Sequence, residues 1–407
     1  MVSESNPLDP NGDANTGPEE PESESGPRAV PHPPRGPGQK SLRSTVASRT
    51  EWLRGGGSEP DIVLSSRVRL ARNLAGFPFM PRASRSDRQQ ILDLCRRRIV
   101  SGEIGDGLAW ISLHEASKLD RSLLAERHLI SRQHAAGKLS NGCGGPKEPR
   151  GVAFSARDER LSIMVNEEDH LRLQVIHSGL DLSGALAEVD AIDDRLEATL
   201  DFAFSPRFGY LTACPTNVGT GLRLSVMLHL PALRMTGELD KVKNAADDMS
   251  LAMRGFYGEG SESAGDFYQL SNNTTLGKSE RVLLRELESE IIPQVISYEQ
   301  HARRVLLDAR KQSTADTTLR ALGVLMYARL LTTEEAMQML SRVRLGVMLG
   351  LIDSVDLASV NQLMLLVQPA HLQAIVGREL DQRERRIQRA EIVRQTLRGE
   401  GHGSTSA

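Results

Sequence analysis

Four short segments concentrate the residue types that can do chemistry. The first is Asp61-Ile-Val-Leu-Ser-Ser-Arg-Val-Arg-Leu. Its alternation predicts a strand with Leu64, Val68 and Leu70 on a core face and Ser65, Arg67 and Arg69 on the other. Two guanidiniums side by side call for an anion, and phosphate suits their bidentate geometry; taken alone, the pair reads as readily as two solvated strand arginines. The second is Ile163-Met-Val-Asn-Glu-Glu-Asp-His-Leu-Arg-Leu-Gln-Val-Ile. If Leu171, Leu173 and Val175 face a core, then Glu168, His170, Arg172 and Gln174 line the opposite face as a site, or as a charged edge strand. The polar run at 166–169 interrupts the alternation and predicts a bulge or turn.

In the third segment, a strand-like stretch at 210–214 ends in Cys214-Pro-Thr-Asn-Val-Gly-Thr and leads to a predicted helix carrying Arg223. A loop running into a helix N-terminus can bind an anion, or can be an ordinary helix start. The fourth, Met253-Arg-Gly-Phe-Tyr-Gly-Glu-Gly-Ser-Glu, is a glycine-rich loop offering Arg254, Glu259 and Glu262, or a flexible surface loop. Arginine outnumbers lysine 42 to 8, so only arginines in a defined spacing carry weight.

Familiar phosphate-handling motifs are missing. Gly277-Lys278-Ser279 ends like a P-loop, but Asn272 stands where its first glycine is required. Neither a His-Arg-Asp catalytic loop nor an Asp-Phe-Gly triplet occurs, and no histidine pair has zinc-ligand spacing with a glutamate. A net charge of −3 gives no basic excess for nucleic acid. Cys95, Cys143 and Cys214 form no disulfide pattern, and no apolar run is long enough to span a membrane. With no secretory leader pattern at the N-terminus, a cytoplasmic enzyme is the expectation.

The elements that must position these residues divide the chain in four. Residues 1–48 hold nine of the 19 prolines and no aromatic residue, a composition that cannot offset ordering entropy. Residues 49–285 mix strand and helix patterns as an α+β domain, 286–400 are helical, and 401–407 form a short tail. Leu283, Leu287, Ile291, Val295 and Ala302 make an apolar stripe, read as a dimerisation surface or as one more face of a single core. On the first reading, truncation near Ser279 leaves a folded, monomeric core. Thr332 with Glu335 predicts a capping box opening a helix, and a charged last helix is expected at 379–397.

Together the four segments resemble those of the phosphagen kinase family, in its bacterial protein-arginine kinase branch. The strings Asn166-Glu-Glu-Asp-His and Cys214-Pro-Thr-Asn-Val-Gly-Thr carry the likeness, with Tyr327-Ala-Arg-Leu-Leu-Thr and Arg342-Val-Arg-Leu-Gly continuing it. The resemblance implies an antiparallel sheet flanked by helices, an all-helical C-terminal domain, and γ-phosphate transfer from ATP to an arginine guanidinium. It implies an ATP site of Ser65, Ser66, Arg67, Val68, Arg69, His128, Arg172, Arg223, Leu224, Ser225, Val226, Met227, Arg254, Gly255, Phe256, Tyr257, Gly258 and Glu259. Glu168 and Glu259 become the catalytic carboxylates, Cys214 borders the guanidinium, and Mg²⁺ arrives on the nucleotide.

A guanidinium, with a pKa above ~12, attacks only once a proton is given up, and a carboxylate can hold the group and accept that proton. The segment before Asp61 is too short and proline-rich for the helical N-terminal domain of small-molecule phosphagen kinases. That favours protein substrates with exposed arginines over free arginine, or over a non-catalytic phosphoarginine-binding regulator. The resemblance also implies a homodimer, an activator protein and Clp-type protease machinery. The branch's Arg-Asp-x-x-Arg-Ala phosphoarginine element corresponds to Arg385 through Ala390, with Arg386 in place of the aspartate. The resemblance implies a regulatory phosphoarginine site at Arg385 and Arg389, and the alternative is a solvated basic helix face; with Arg386 in place of the acid, insensitivity to added phosphoarginine is expected.

Overall fold

The computed structural model describes residues 50–101, 104, 107–138, 144–256 and 264–399. Of the residues singled out above, Cys143, Tyr257, Gly258, Glu259 and Glu262 lie outside the described residues, as do the tails at 1–48 and 401–407.

Eight strands form one antiparallel sheet: β1 (Val63–Arg72), β2 (Leu108–Ser112), β3 (Gly151–Ser155), β4 (Leu161–Val165), β5 (Leu171–Ser178), β8 (Leu222–His229), β9 (Leu251–Gly255) and β10 (Phe267–Asn272). Their order is β2-β3-β4-β5-β1-β8-β10-β9, and a small hairpin of β6 (Phe204–Ser205) and β7 (Gly209–Tyr210) stands apart. β1 is central, pairing with β5 on one side and β8 on the other.

One face of the sheet is a continuous apolar layer. Val68, Leu70, Leu173, Val175, Leu224 and Val226 pack there against α1 (Arg85–Val100) and α4 (Leu182–Glu197). Around the sheet run α2 (Lys118–Glu126), α3 (Arg132–Ala136), α5 (Pro231–Thr236) and α6 (Leu239–Asp248). Local signals start the main helices: Ser84 and Asp87 form a capping box on α1, and Asp181 caps α4 through Gly184 N.

Two expectations are corrected. Leu64 does not share a face with Val68, because a bulge between Val63 and Ser65 resets the alternation and sends Leu64 across to Trp52. Arg223 stands on a strand, not a helix. Leu222, Leu224, Val226 and Leu228 are all fully buried at period two, so the segment reads as strand, and no helix N-terminus arises there.

The C-terminal helices begin with α7 (Glu280–Leu284), capped by Ser279, which continues through a π-helical stretch at Arg285–Ile291 into α8 (Ile292–Ala309). Its stripe, Leu283, Leu287, Val295 and Ala302, is buried in the sheet's own core. This is the single-core alternative, and the 285/286 boundary falls inside the run. A chain ending at residue 278 is therefore expected to lose its cooperative unfolding transition and aggregate, measured by circular dichroism and light scattering; a folded, soluble product would show the stripe to be dispensable.

The remaining helices are α9 (Lys311–Tyr327), α10 (Thr333–Met348), α11 (Leu357–Leu366), α12 (Pro369–Val376) and α13 (Gln382–Leu397). Thr332 caps α10 by accepting from Glu335 N, and Asp381 with Glu384 forms a capping box on α13. These helices build a second core, in which Leu325, Met337, Leu340, Leu363 and Val393 meet Trp52, Leu64, Ile176, Met227, Phe256 and Phe267. The C-terminal bundle thus covers part of the sheet's other face, next to the arginines.

Candidate active site

Strand alternation and register gather the arginines. Arg67 lies opposite Ser225, and Arg69 lies opposite both Gln174 and Arg223. Ala71 pairs with Arg172, and Arg254 on β9 pairs with Gln269 on β10. Arg67, Arg69, Arg172, Arg223 and Arg254 all line one cavity of about 310 Å³.

Such crowding of like charge is unfavourable until an anion enters. Burial, with Arg223 and Arg172 nearby, pushes the Arg67 pKa down to about 10. Arg69 is pushed well below its ordinary value by burial and by Arg67, Arg172 and Arg223. Its Nε has no hydrogen-bond partner among the described residues.

Across the cavity stand the carboxylates. Residues 166–170 form the expected tight turn between β4 and β5, with Asn166 at φ 60°. Arg172 is held by both glutamates, Nη1 at 2.7 Å from Glu167 Oε2 and Nη2 at 2.8 Å from Glu168 Oε2. Burial opposes its charge, but Glu167, Glu168 and Asp169 outweigh it and raise the Arg172 pKa. Glu167, buried and also bonded to Ser131 Oγ at 2.6 Å, acts as a fixed counter-ion. Glu168 is the carboxylate left partly open to the cavity, its side chain 30 % exposed.

Asp169 links this turn to the Cys214 loop: its Oδ1 accepts from Ala213 N at 2.7 Å and from Asn73 Nδ2 at 2.6 Å. Burial pushes its pKa up to about 6. Cys214 is half-buried on that loop, its Sγ 3.0 Å from Thr216 Oγ1; Asn217, three residues on, lines the cavity where Cys214 does not.

His128 supplies a different surface. Its imidazole sits edge-on to Trp52 at 4.8 Å and to Phe256 at 5.5 Å. Burial, with Arg67 and Arg132, lowers its pKa to about 3, so the ring is neutral at physiological pH. An aromatic wall beside a cationic cavity can take a base and its phosphates together. Ser65, Ser225 and Met227 line an adjoining cleft with Trp52 and His128.

Other expected site residues face elsewhere. Val68, Leu224 and Val226 point into the apolar layer, and Ser66 Oγ is spent on Gly179 O and Asp181 N. Gly255 closes β9 opposite Tyr268. His170 is corrected: it does not share the face of Arg172, because it still lies in the turn and β5 begins only at Leu171. Its ring instead accepts from Leu74 N at 3.0 Å and bonds Pro78 O at 3.0 Å. Glu167, Arg132, Asn217 and Gln269, not among the expected site residues, also line the cavity. Glu167 alone left a signal, as the neighbour of Glu168 in the same acidic run.

At the C-terminal end, Arg389 is buried and donates to Val367 O at 2.7 Å and Leu331 O at 2.8 Å, which departs from the solvated-face alternative. Arg385 donates to Leu380 O at 2.8 Å, and Arg386 is exposed. Among the described residues no helix is long and apolar enough to cross a membrane.

An antiparallel sheet presents five arginines and a paired glutamate to one cavity, an arrangement chemically suited to holding the phosphates of a nucleotide beside a carboxylate. Residues 95–302 match the family model described as the C-terminal catalytic domain of ATP:guanido phosphotransferases, and residues 311–406 match that of the protein-arginine kinase McsB C-terminal domain. The protein-arginine kinase of Halothermothrix orenii is 44% identical over 351 residues, 86% of this chain and 96% of that protein. That of Bacillus pumilus is 41% identical over 355 residues, 87% and 94% of the two chains. Among solved structures, lombricine kinase superposes with a TM-score of 0.50 at 25% identity, over 60% of this chain and 68% of that one. The duplicated taurocyamine kinase from Schistosoma mansoni, with bound transition state analog components, reaches 0.52 at 26%, over 70% and 40%. The chain belongs to the ATP:guanido phosphotransferase family, in its protein-arginine kinase branch.

Proposed function

We propose that this protein transfers the γ-phosphate of ATP to arginine side chains of other proteins. The observation that carries the reading is the five-arginine cavity faced by Glu168 and adjoined by the Cys214 loop. The arginines bind and align the phosphates, and their fixed charge stabilises the transferring phosphoryl group. His128, Trp52 and Phe256 flank the base. Glu168 spends Oε2 on Arg172, leaving Oε1 to hold and orient the incoming guanidinium. A guanidinium nitrogen bonds to the γ-phosphorus, the bond to the ADP oxygen breaks, and the displaced guanidinium proton passes to a carboxylate. Glu259 is the second carboxylate of this reading, and Cys214 orients the substrate without forming a covalent intermediate.

Mg²⁺ bound to the nucleotide supplies further positive charge. Glu167 and Glu168 are engaged by Arg172, so in this reading the ion would be carried by the phosphates. Catalysis resides in the sheet with α1–α8, and the helices from residue 311 onward serve dimerisation and regulation in a cytoplasmic enzyme that works with an activator and Clp-type proteases. Arg389, committed to the backbone carbonyls of Val367, Leu331 and Arg385, supports insensitivity to added phosphoarginine. Incubation with ATP and either casein or free arginine tests the substrate. Acid-labile phosphoarginine is expected on the protein alone. Phosphorylation of free arginine alone would overturn the protein-substrate reading, and nucleotide-independent capture of phosphoarginine without turnover would mark a regulator.

A further inference from the structure

Three consecutive residues join the C-terminal bundle to the cavity. Glu126, the last residue of α2, caps α12: its two oxygens accept from Ala370 N at 2.8 Å and His371 N at 3.0 Å. His371 is fully buried, and its Nδ1 lies 2.7 Å from Glu126 Oε2 while its Nε2 lies 3.3 Å from Arg127 Nη1. One neutral tautomer satisfies both contacts, donating at Nδ1 and accepting at Nε2; burial lowers the His371 pKa and keeps that form. Arg127 is itself locked by Glu159, Nε lying 2.9 Å from each carboxylate oxygen.

The next residue is His128, at φ 60°. A histidine holds that left-handed conformation only where its neighbours over-determine it. On one side Gln174 Nε2 donates to His128 O at 2.7 Å; on the other, the Glu126–His371–Arg127 assembly fixes the chain that leads into it. The ring so placed meets Trp52 and Phe256, which also belong to the core shared with α9, α10, α11 and α13, while α12 packs Ala370 on Leu123 of α2.

We propose that Glu126 and His371 are positioning residues through which α12 holds His128 in its nucleotide-binding geometry, so that docking of the C-terminal helices sets nucleotide affinity rather than the rate of transfer. The proposal rests on the nucleotide reading of the cavity. Movement of α12 would remove the three Glu126 contacts first, release the peptide at His128, and leave the strand arginines and the turn carrying Glu168 undisturbed.

The full-length chain with Glu126→Gln tests this, because an amide nitrogen cannot accept from His371. Expected are a rise of about tenfold in the KM for ATP with kcat within about twofold, and a matching loss of ADP affinity by calorimetric titration. His371→Asn, whose amide can still donate to Glu126, is expected to lie between the two and carries the test if Glu126→Gln does not fold. A wild-type chain that binds no ADP would overturn the nucleotide reading and this inference with it. If the wild type binds ADP and the variants bind it as tightly, the inference alone falls. It also falls if kcat and melting temperature drop together while the KM for ATP stays constant, the signature of a purely structural contact.

Discussion

Glu168→Gln is expected to lower kcat by about 10²–10⁴-fold while leaving the fold and ADP affinity close to wild type. The substitution keeps the volume and can still accept a hydrogen bond from Arg172 Nη2, so the turn and its ion pair with Glu167 persist. What disappears is the negative charge that faces a guanidinium in the cavity. A neutral amide neither holds that cation nor receives its proton, and both losses act on the chemical step. Single-turnover phosphorylation of a protein substrate, with circular dichroism as the folding control, measures the effect. A rate within a few-fold of wild type would remove Glu168 from the chemistry.

Arg69→Lys is expected to cost about 10²–10³-fold in kcat/KM although the formal charge is unchanged. Arg69 lies across from Arg223 on one neighbouring strand and from Gln174 on the other, at the centre of the cationic face. An ammonium offers no planar two-donor contact to phosphate oxygens. It also starts from a pKa near 10.4, about two units below arginine. The burial and repulsion that lower Arg67 to about 10 would carry a lysine at position 69 toward neutrality. A lysine so depressed is protonated only on the acid side, so the variant's activity relative to wild type is expected to recover partly as pH falls from 8.5 to 7. A pH–rate profile parallel to wild type would show that charge on residue 69 is not what the cavity uses.

Much of this site was legible because strand parity is local. Arg67 with Arg69, and Arg172 with Gln174, share a face whatever their strands pair with, since side chains alternate every residue. The polar run at 166–169 announced its turn for a similarly local reason: no apolar residue was there to continue the alternation. Parity misled where the backbone changed step. His170 closes the turn instead of lying in β5, so parity does not tie it to Arg172, and the bulge after Val63 carried Leu64 away from Val68. Arg223 was placed on a helix because glycines precede it, although Leu222, Leu224 and Val226 already alternated as a strand does.

By itself the sequence determined which residues alternate, the Thr332 cap that opens α10, and the long strings that mark the family, because each depends on neighbours within a few positions. Tertiary structure alone decided that Arg69 meets Arg223, since strand register is set by pairing between segments some 150 residues apart. It alone decided that the stripe at Leu283, Leu287 and Val295 belongs to the sheet's core, because an apolar helix face specifies burial but not its partner. The same holds for Glu126, an unremarkable helix-terminal acid until α12, more than 240 positions away, brings two unsatisfied N–H groups to its carboxylate.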